Sequence, residues 1–280
     1  RFPMPHRADA HIHLFENAYP GTFSARPGVQ IDEAACYNSL ADDVNIEAAL
    51  VICVQSGEGT ENNNEYVADL KSKYDWIFPA AFVDPDTPPS LDTLKRWRDK
   101  GFVGLVMYPE NSKSVSDFPN EIWDWMIEHR WIMSVNAKGE AWTVWENVLN
   151  RHNQLRLMLS HLGLPERVID PITVSQARAG LTHQNNLARY PEVRVKLSGF
   201  YALTEPWFDY PHEMAWPYVE VLADTFGTDR LLWASDYTPC LNYQTVPQTL
   251  ELLWKMPFLN DEDRNRIGGS NLLQMLGEIS

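Results

Sequence analysis

The sequence predicts an α/β fold: one domain spanning residues 1–280, built as a single (β/α)8 TIM barrel. Eight short apolar runs alternate with helix-like segments at intervals of about 25 to 40 residues, which is the count and spacing of such a barrel. The competing architecture is an open doubly wound sheet, which favours a glycine-rich phosphate turn after the first strand. The first run ends in histidines instead, so the barrel is the better prediction.

The predicted strands are continuous apolar runs, which are typical of parallel strands buried on both faces. A glycine, Gly101, ends the helix-like segment before the fourth run, and Asp84-Pro85 closes the third. The predicted strands are 8–14, 48–54, 76–83, 102–108, 131–136, 155–161, 193–199 and 230–236.

The segments between the strands carry the predicted helices. Two connections differ from the rest: 16–31 is interrupted by prolines and glycines, and 200–217 is rich in aromatic residues and prolines. We expect both to form pocket walls or a lid. The predicted helices are 33–43, 64–74, 91–100, 122–129, 141–151, one within 165–190, 218–226 and one within 269–277.

Composition excludes several classes of function. The 23 basic and 38 acidic residues give a formal net charge of −15, which disfavours nucleic acids and anionic membranes as partners. No segment approaches the ~18 uninterrupted apolar residues of a membrane helix. Cys36, Cys53 and Cys240 are odd in number and widely spaced, so we expect reduced thiols in a cytoplasmic protein. The first residues do not resemble a signal peptide.

The first strand carries the most unusual pattern, two histidines separated by one residue. Because successive side chains of a strand point to opposite faces, Asp9, His11 and His13 are expected on one face and Ala10 and Ile12 on the other. Neutral imidazole is a common metal ligand, so the two rings could share an ion or polarise one substrate oxygen. At this point, two hydrogen-bonded structural histidines remain the alternative.

Two further strands end in reactive side chains. In a barrel the site lies at the C-terminal ends of the strands, and there strand six carries His161 and strand eight carries Asp236. Counting with a period of two places His161 on the face of Leu159 and Asp236 on the face of Leu232. Both side chains are therefore predicted to point into the barrel mouth beside the histidines of strand one.

Five motifs in this order resemble the amidohydrolase superfamily, and within it the branch of pyrone-dicarboxylate lactonase and the sugar lactonases. The resemblance covers the chain from end to end and implies a distorted TIM barrel that hydrolyses an ester, lactone or amide. The motifs are Asp-x-His-x-His at 9–13, Ser-His-Leu-Gly at 160–163, Lys-Leu-Ser-Gly at 196–199, Trp-Ala-Ser-Asp-Tyr at 233–237 and Gly-Ser-Asn-Leu-Leu at 269–273.

The resemblance also implies roles for the strand-end groups. His11, His13 and His161 would bind a metal or polarise the scissile carbonyl, and Asp236 would take a proton from the attacking water. Two possibilities stay open: one divalent ion, most commonly zinc, on His11, His13 and Asp236 with His161 as an extra ligand or donor, or no metal at all. In the second case the histidines form an oxyanion-type cluster.

Departures from the superfamily pattern argue against a centre of two metals. Many members have a metal-bridging lysine at the end of strand four, where this chain has Met107-Tyr108. Strand five often ends in a histidine ligand, whereas this chain has Asn136-Ala137-Lys138. A binuclear centre is therefore not expected.

Polar side chains beside aromatic walls suggest a hydroxylated, weakly charged substrate such as a sugar lactone. A dicarboxylate would favour arginines, which are absent from the immediate ends of strands four, five and seven, although Lys138, Lys196 and Arg178 remain possible carboxylate contacts. The predicted substrate-binding residues are Gln55, Tyr108, Asn136, Lys138, Tyr201 and Tyr237.

The leading hypothesis is a cytoplasmic hydrolase that opens a small lactone or sugar-acid derivative. A decarboxylase or lactone isomerase on the same barrel is the first alternative, because a fold does not determine a reaction. A catalytically inactive barrel that serves as a binding module is the second. The sequence leaves a homo-oligomer open.

Overall fold

The fold is a nearly closed barrel of eight parallel strands, as the sequence predicts. The structure, a computed structural model, describes residues 6–19, 31–55, 59–109 and 112–280. Within these residues each strand pairs with the next one in the chain, in parallel, from β1 to β8. The strands are β1 (Arg7–Ile12), β2 (Ile46–Ile52), β3 (Ile77–Phe82), β4 (Gly104–Met107), β5 (Ile132–Val135), β6 (Arg156–Leu159), β7 (Arg194–Leu197) and β8 (Leu231–Trp233).

Helices connect the strands and cover the barrel. The connection between β6 and β7 contains two short helices where the sequence predicts one. The described helices are α1 (Glu33–Val44), α2 (Asn63–Lys71), α3 (Leu91–Asp99), α4 (Ser112–Ser116), α5 (Asn120–Glu128), α6 (Trp142–Arg151), α7 (Val174–Gly180), α8 (Thr182–Asn186), α9 (Phe200–Leu203), α10 (Trp216–Phe226), α11 (Val246–Lys255), α12 (Asp261–Asn265) and α13 (Asn271–Gly277).

Two apolar layers hold the barrel together. The interior is filled by small residues such as Ala10 and Ala80 and by larger ones such as Leu50, Ile132 and Met158. Leu272 and Met275 of α13 join this interior cluster, so α13 covers the N-terminal end of the barrel. The apolar side chains that alternate with these along the strands, such as Leu157, pack outward against the helices.

Strand β1 contains an irregularity that corrects one prediction. Its pairing with β2 shifts register between Asp9 and Ile12, and Ala10 packs inside the barrel while Ile12 packs outside. The Asp9 carboxylate accepts a hydrogen bond from the hydroxyl of Tyr37 in α1 at 2.9 Å, so it faces the helix layer. The prediction that Asp9 shares a face with His11 is therefore wrong, because the shift exchanges inside and outside partway along the strand.

The barrel closes at the C-terminal ends of β1 and β8. Asp236 N donates to His11 O at 2.9 Å, and His13 N donates to Tyr237 O. These bonds form a seam, which we define as residues 11–13 and 235–237, in the same place as the predicted site.

The two predicted wall segments differ in outcome. Residues 20–30 of the first segment lie outside the described residues. The second segment, 200–217, contains helix α9 and the start of α10. Helix α11 was not predicted, although Thr245 and Gln248 form a capping box at its start and Pro247 lies in its first turn.

The structure gives the state of the three thiols and the lengths of the helices. The thiols of Cys36, Cys53 and Cys240 are free, with Cys36 exposed and the other two buried. No helix among the described residues is both long enough and apolar enough to cross a membrane.

Candidate active site

The four strand-end groups predicted from the sequence lie together in the barrel mouth. His11 Nε2 is 3.1 Å from His13 Nε2, and Asp236 Oδ1 is 3.5 Å from His13 Nε2 and 3.7 Å from His11 Nε2. The ring centroids of His11 and His161 are 4.8 Å apart. We call these four residues the mouth cluster. All four are buried at or below 9% exposure, so their charged forms are poorly hydrated.

His13 has a fixed ring proton. Its Nδ1 lies 2.8 Å from the carbonyl oxygen of Ile52 at the end of β2. Because a carbonyl can only accept, His13 Nδ1 carries a proton, and His13 Nε2 is the ring atom that faces the mouth cluster.

A left-handed turn directs His161 into the mouth. His161 and Leu162 have φ values of 52° and 59°, which are uncommon for residues other than glycine. The carbonyl oxygen of Gly163 in this turn accepts hydrogen bonds from Trp142 Nε1 and Gln184 Nε2, both at 2.8 Å. These two donors hold the turn in its strained conformation.

The turn also explains why His161 points into the mouth although counting with a period of two from Leu159 does not place it there. Leu159 packs outside the barrel, so a continued strand would have turned His161 outward as well. The strand ends at Leu159, and the turn reverses the direction. Asp236 does follow the count, because Leu232 lies inside the barrel.

Gly199 leaves room for the His161 ring. It follows β7 with φ 67°, and a Cβ at this position would lie 2.7 Å from His161 Nδ1. The same Nδ1 is 2.8 Å from Ser198 Oγ. A side chain at Gly199 would therefore displace the imidazole from its partner.

Asp236 is held in its ionised form by its neighbours. Burial would raise the pKa of its carboxyl group, but the nearby His161 and His13 and a hydrogen bond from Tyr201 outweigh that effect and keep the pKa below its usual value. Tyr201 OH donates to Oδ2, so Oδ1 faces the histidines. An ionised, partly shielded carboxylate is suited to act as a general base.

Asp9 supports the mouth cluster from the outer side of the seam. Its Oδ1 accepts hydrogen bonds from Ser235 N at 2.9 Å and from His11 N at 3.2 Å. Burial raises the pKa of Asp9 to about 6, although the bonds from Ser235, His11 and Tyr37 oppose this change. Asp9 thus joins the two strands that carry the histidine pair and Asp236.

Lys196 lies beneath the mouth cluster and is 0% exposed. Its Nζ donates to Ser134 Oγ at 2.7 Å and is 3.2 Å from His11 Nδ1. Within the described part of the chain no carboxylate oxygen lies within 4.0 Å of this Nζ. Burial lowers the pKa of Lys196 to about 7, against the opposing influence of Asp236 and Asp9.

The sequence analysis treated Lys196 only as a possible carboxylate contact. A usable signal was present: Lys196 lies between Val195 and Leu197, which both pack outward, so its side chain must point into the barrel. A buried charge inside a barrel needs a partner. That partner is the mouth cluster.

Three groups of the mouth cluster have the spacing of a mononuclear metal site. The candidate ligand atoms of His11, His161 and Asp236 all lie within 4.8 Å of one another, and the predicted set of His11, His13 and Asp236 has distances of 3.1 to 3.7 Å, so both sets have this spacing. Two histidines and a carboxylate are a donor set typical of zinc.

The surroundings of this site fit a metal only in part. A metal-bound histidine almost always donates its other ring N–H to an acceptor. His13 has such an acceptor in Ile52 O, but His11 Nδ1 faces the amino group of Lys196. An amino group that offers hydrogens to that atom is not the acceptor that a metal-bound histidine usually has, so the surroundings of His11 do not match those of a ligand.

Three of the predicted substrate-binding residues border the mouth. Tyr201 contacts Asp236 directly. Tyr108 is half-buried against Phe82, and burial together with the charge of Asp236 raises its pKa. Asn136 is half-buried at the end of β5.

The other three predicted contacts have partners elsewhere. Gln55 Nε2 donates to the backbone oxygen of Glu61. Lys138 is exposed, with its Nζ 3.6 Å from a carboxylate oxygen of Glu166. Tyr237 is buried on the helix side of the seam, and its hydroxyl donates to Glu33 O at 2.9 Å. Sequence position alone could not separate these residues from the true neighbours of the mouth.

Arg178 also lies away from the mouth. It pairs with Asp224 of α10 at 2.7 Å on the outer layer of helices. The possible carboxylate contact at Arg178 is therefore wrong.

An aromatic cavity of about 380 Å³ is lined in part by Tyr201, whose hydroxyl contacts Asp236, although no residue of the mouth cluster lines it. Tyr201 and Tyr243 stack in its wall with ring centroids 4.2 Å apart, and Trp207 packs edge-on against Tyr243. Arg167 also lines the cavity, but its guanidinium is paired with Glu205 at 2.8 Å. A larger cavity of about 470 Å³ lies between α1 and α11, and none of the mouth cluster lines it.

Comparisons with known proteins give one family and several relatives. A family model described as amidohydrolase matches residues 8–277. An L-fucono-1,5-lactonase from Burkholderia ambifaria is 33% identical over 192 residues, which is 64% of this chain and 61% of that protein. The chain thus matches about three fifths of the length of this lactonase.

Solved structures share the fold at low sequence identity. An amidohydrolase from Burkholderia multivorans with bound zinc has a TM-score of 0.77 at 17% identity, covering 97% of this chain and 99% of its own. A probable 2-pyrone-4,6-dicarboxylic acid hydrolase from Acinetobacter baumannii with citric acid bound has a TM-score of 0.72 at 16% identity, with the same coverage.

Proposed function

Because the chain belongs to the amidohydrolase family, whose model matches residues 8–277, we propose that it is a lactonase that opens a small hydroxylated lactone. The observation that carries the proposal is the buried, ionised Asp236 facing three imidazoles in the barrel mouth. The lactonase relative supports the same reaction class.

Asp236 is the general base in this proposal. Its carboxylate takes a proton from a water molecule as the water oxygen attacks the carbonyl carbon of the lactone. The ring C–O bond then breaks, and the leaving oxygen receives the proton that Asp236 accepted. Water and lactone are thereby converted into one hydroxy acid, and the enzyme returns to its starting state.

The imidazoles stabilise the charge that develops on the carbonyl oxygen. A ring N–H aimed into the mouth donates to this oxygen most strongly in the transition state, in a site with little water. A lactone carbonyl needs less activation than an amide. No step of this mechanism passes through a metal, because the amino group of Lys196 occupies the place of the acceptor that His11 would need.

The cavity beside Tyr201 favours a weakly charged sugar lactone. Stacked aromatic rings offer an apolar wall, while hydroxyl and amide groups at the strand ends can bond with substrate hydroxyls. Arg167 and Lys138 are already paired with carboxylates, so neither is free for a dicarboxylate. A cytoplasmic location and a homo-oligomer stay predictions from the sequence.

The test is hydrolysis of a lactone panel by the purified protein, starting with L-fucono-1,5-lactone and including 2-pyrone-4,6-dicarboxylate. We expect acid release from the sugar lactone, and Asp236→Asn should lower kcat by about 10²- to 10⁴-fold. The matched control is Asp224→Asn on the outside of α10, which should stay within about twofold.

Three outcomes would contradict parts of the proposal. Hydrolysis by Asp236→Asn at the parent rate would exclude Asp236 as the base. Proton NMR that shows loss of carbon dioxide or a rearranged lactone would favour the decarboxylase or isomerase hypothesis. A preference for the pyrone dicarboxylate would contradict the weakly charged substrate.

A further inference from the structure

A continuous chain of hydrogen bonds runs from β2 through the histidine pair to β5. Ile52 O faces His13 Nδ1 at 2.8 Å, and His13 Nε2 faces His11 Nε2 at 3.1 Å. His11 Nδ1 then faces Lys196 Nζ at 3.2 Å, and Lys196 donates to Ser134 Oγ at 2.7 Å. Each nitrogen of both imidazoles has one partner in this chain.

The groups at the two ends of this series of hydrogen bonds impose the same direction of donation on it. At one end, the carbonyl of Ile52 can only accept, so His13 Nδ1 carries a proton. At the other end, Lys196 Nζ donates to Ser134 Oγ at 2.7 Å and has a further hydrogen for His11 Nδ1, which is thereby the acceptor. The ring proton of His11 then lies on Nε2 and supplies the contact between the two Nε2 atoms.

We propose that Lys196 is a positioning residue that fixes the ring proton of His11 on Nε2 and thereby makes the mouth cluster oppose metal binding. A divalent ion needs the lone pair of His11 Nε2, which the proton occupies in this arrangement. Moving that proton to Nδ1 would direct it against the hydrogens of Lys196. When Lys196 is protonated, its charge, one ring away from the ligand atom, also repels a dication.

The same proton has a use in the reaction, and this part rests on the proposed function. An N–H on His11 Nε2, which faces His13 Nε2 in the structure, can be shared with the carbonyl oxygen of a bound lactone. Lys196 would thus replace the metal in its electrostatic role: its charge reaches the oxyanion through the imidazole of His11. The tautomer and the weak metal binding do not depend on the reaction.

The first experiment examines the parent protein. Two-bond ¹H–¹⁵N correlation spectra of the protein, recorded after treatment with a chelator, report which ring nitrogen of His11 carries the proton. The His11 signals are assigned by their loss in His11→Gln. We expect the proton on Nε2. A proton on Nδ1 would overturn the proposal.

The second experiment measures Zn²⁺ affinity by calorimetry at one pH. Lys196→Gln puts an amide oxygen where it can accept from His11 Nδ1–H, so it should raise the association constant for Zn²⁺ at least tenfold over the parent. Lys138→Gln is the matched control, because it removes an exposed lysine after β5 that pairs with Glu166. It should change the constant by less than twofold.

The outcomes separate this proposal from its alternatives. An unchanged Zn²⁺ affinity in folded Lys196→Gln, or an equal rise in Lys138→Gln, would overturn the specific role of Lys196. If Lys196→Gln does not fold, Lys196→Met and the spectra of the parent protein decide. Tautomer and affinity results as expected, without hydrolysis of any lactone, would contradict only the proposed function.

Discussion

The two ends of the barrel each bury a basic side chain, and the partners of the two side chains differ. At the N-terminal end, Arg156 is 2% exposed, and its guanidinium donates to Met275 O at 2.8 Å and Arg130 O at 3.1 Å and pairs with Glu278. At the mouth, Lys196 is 0% exposed and has only a hydroxyl and an imidazole as its direct partners among the described residues.

The difference indicates that the N-terminal end of the barrel serves stability and that the mouth serves the reaction. The guanidinium has acceptors around it, as expected of a charge that holds α13 onto the barrel. The buried amino group lacks a carboxylate in contact, and burial lowers its pKa to about 7. Such an unfavourable environment is typical of functional sites. In TIM barrels the N-terminal face generally serves stability and the C-terminal face catalysis.

The largest effect expected from this comparison concerns stability. Arg156→Met leaves the carbonyls of Arg130 and Met275 without their donor, so the free energy of unfolding should fall by about 2–3 kcal/mol. The turnover of the folded enzyme should stay unchanged, because the substitution is at the opposite end from the mouth. Denaturant unfolding and kcat measured on the same preparation check both statements.

The matched control lies at the start of the next strand. Arg194 donates to Pro191 O at 2.8 Å and has Glu192 at 4.0 Å, so Arg194→Met should cost less than about 1 kcal/mol. Equal losses for the two variants would mean that the buried position of Arg156 does not matter.

The second prediction concerns the mouth and is intermediate in size. Gly199→Ala places a methyl group against the His161 ring, 2.7 Å from Nδ1, and should lower kcat for lactone hydrolysis at least tenfold, which corresponds to about 1.4 kcal/mol. The left-handed conformation adds about 1 kcal/mol of lost stability. Steady-state kinetics and thermal unfolding measure the two effects.

Gly139 offers the control for backbone strain alone. Its φ is 55°, and a Cβ there would have no atom within 4 Å. Gly139→Ala should therefore lose a similar amount of stability and keep its kcat. If both alanine variants lost kcat equally, contact with His161 would not be the cause.

The smallest expected effect is a pH dependence at the N-terminal end. A hydrogen bond from Arg130, with help from Gln274 and Arg156, keeps the pKa of Glu278 below its usual value. A pKa lowered by folding adds stability above the unfolded pKa, and this stability is lost as the pH falls through the folded pKa. The side chain is 39% exposed, so solvent screening limits the effect.

Glu278→Gln should therefore reduce the free energy of unfolding by under about 1 kcal/mol at pH 7. The difference from the parent should shrink as the pH falls below the usual glutamate pKa of about 4.3 and disappear once the pH has passed the lowered pKa of the folded protein. Denaturant midpoints at several pH values measure it. A difference that grew toward acid pH would contradict the sign of this argument.

The barrel could be predicted because its strands are marked by composition. Runs buried on both faces are apolar throughout, and their regular spacing gives the count without knowledge of any contact. Which side chains of β1 face the barrel interior could not be predicted. The register shift between Asp9 and Ile12 depends on pairing with β2 and leaves no mark in the alternation of residues. The same is true of the left-handed turn at His161.

The mouth cluster was predicted to converge because strand ends of a barrel meet at one place, whatever the local turns. The contacts of the residues around the mouth cluster could not be predicted from the positions of the strand ends. Tyr237 and Tyr201 are both tyrosines close to a strand end, yet one bonds with Glu33 and the other with Asp236. Only the packing of α1 and α9 decides which tyrosine faces the mouth.

The seam has a consequence for the synthesis of the protein. Asp9 and Ser235, which hydrogen-bond across it, are 226 residues apart in the chain. At about 5–20 residues per second, the ribosome makes His11 and His13 roughly 10 to 45 s before it makes Asp236. A nascent or truncated chain ending before β8 would carry His11 and His13 but no Asp236. The last strand therefore determines both when the barrel closes and when catalysis can begin.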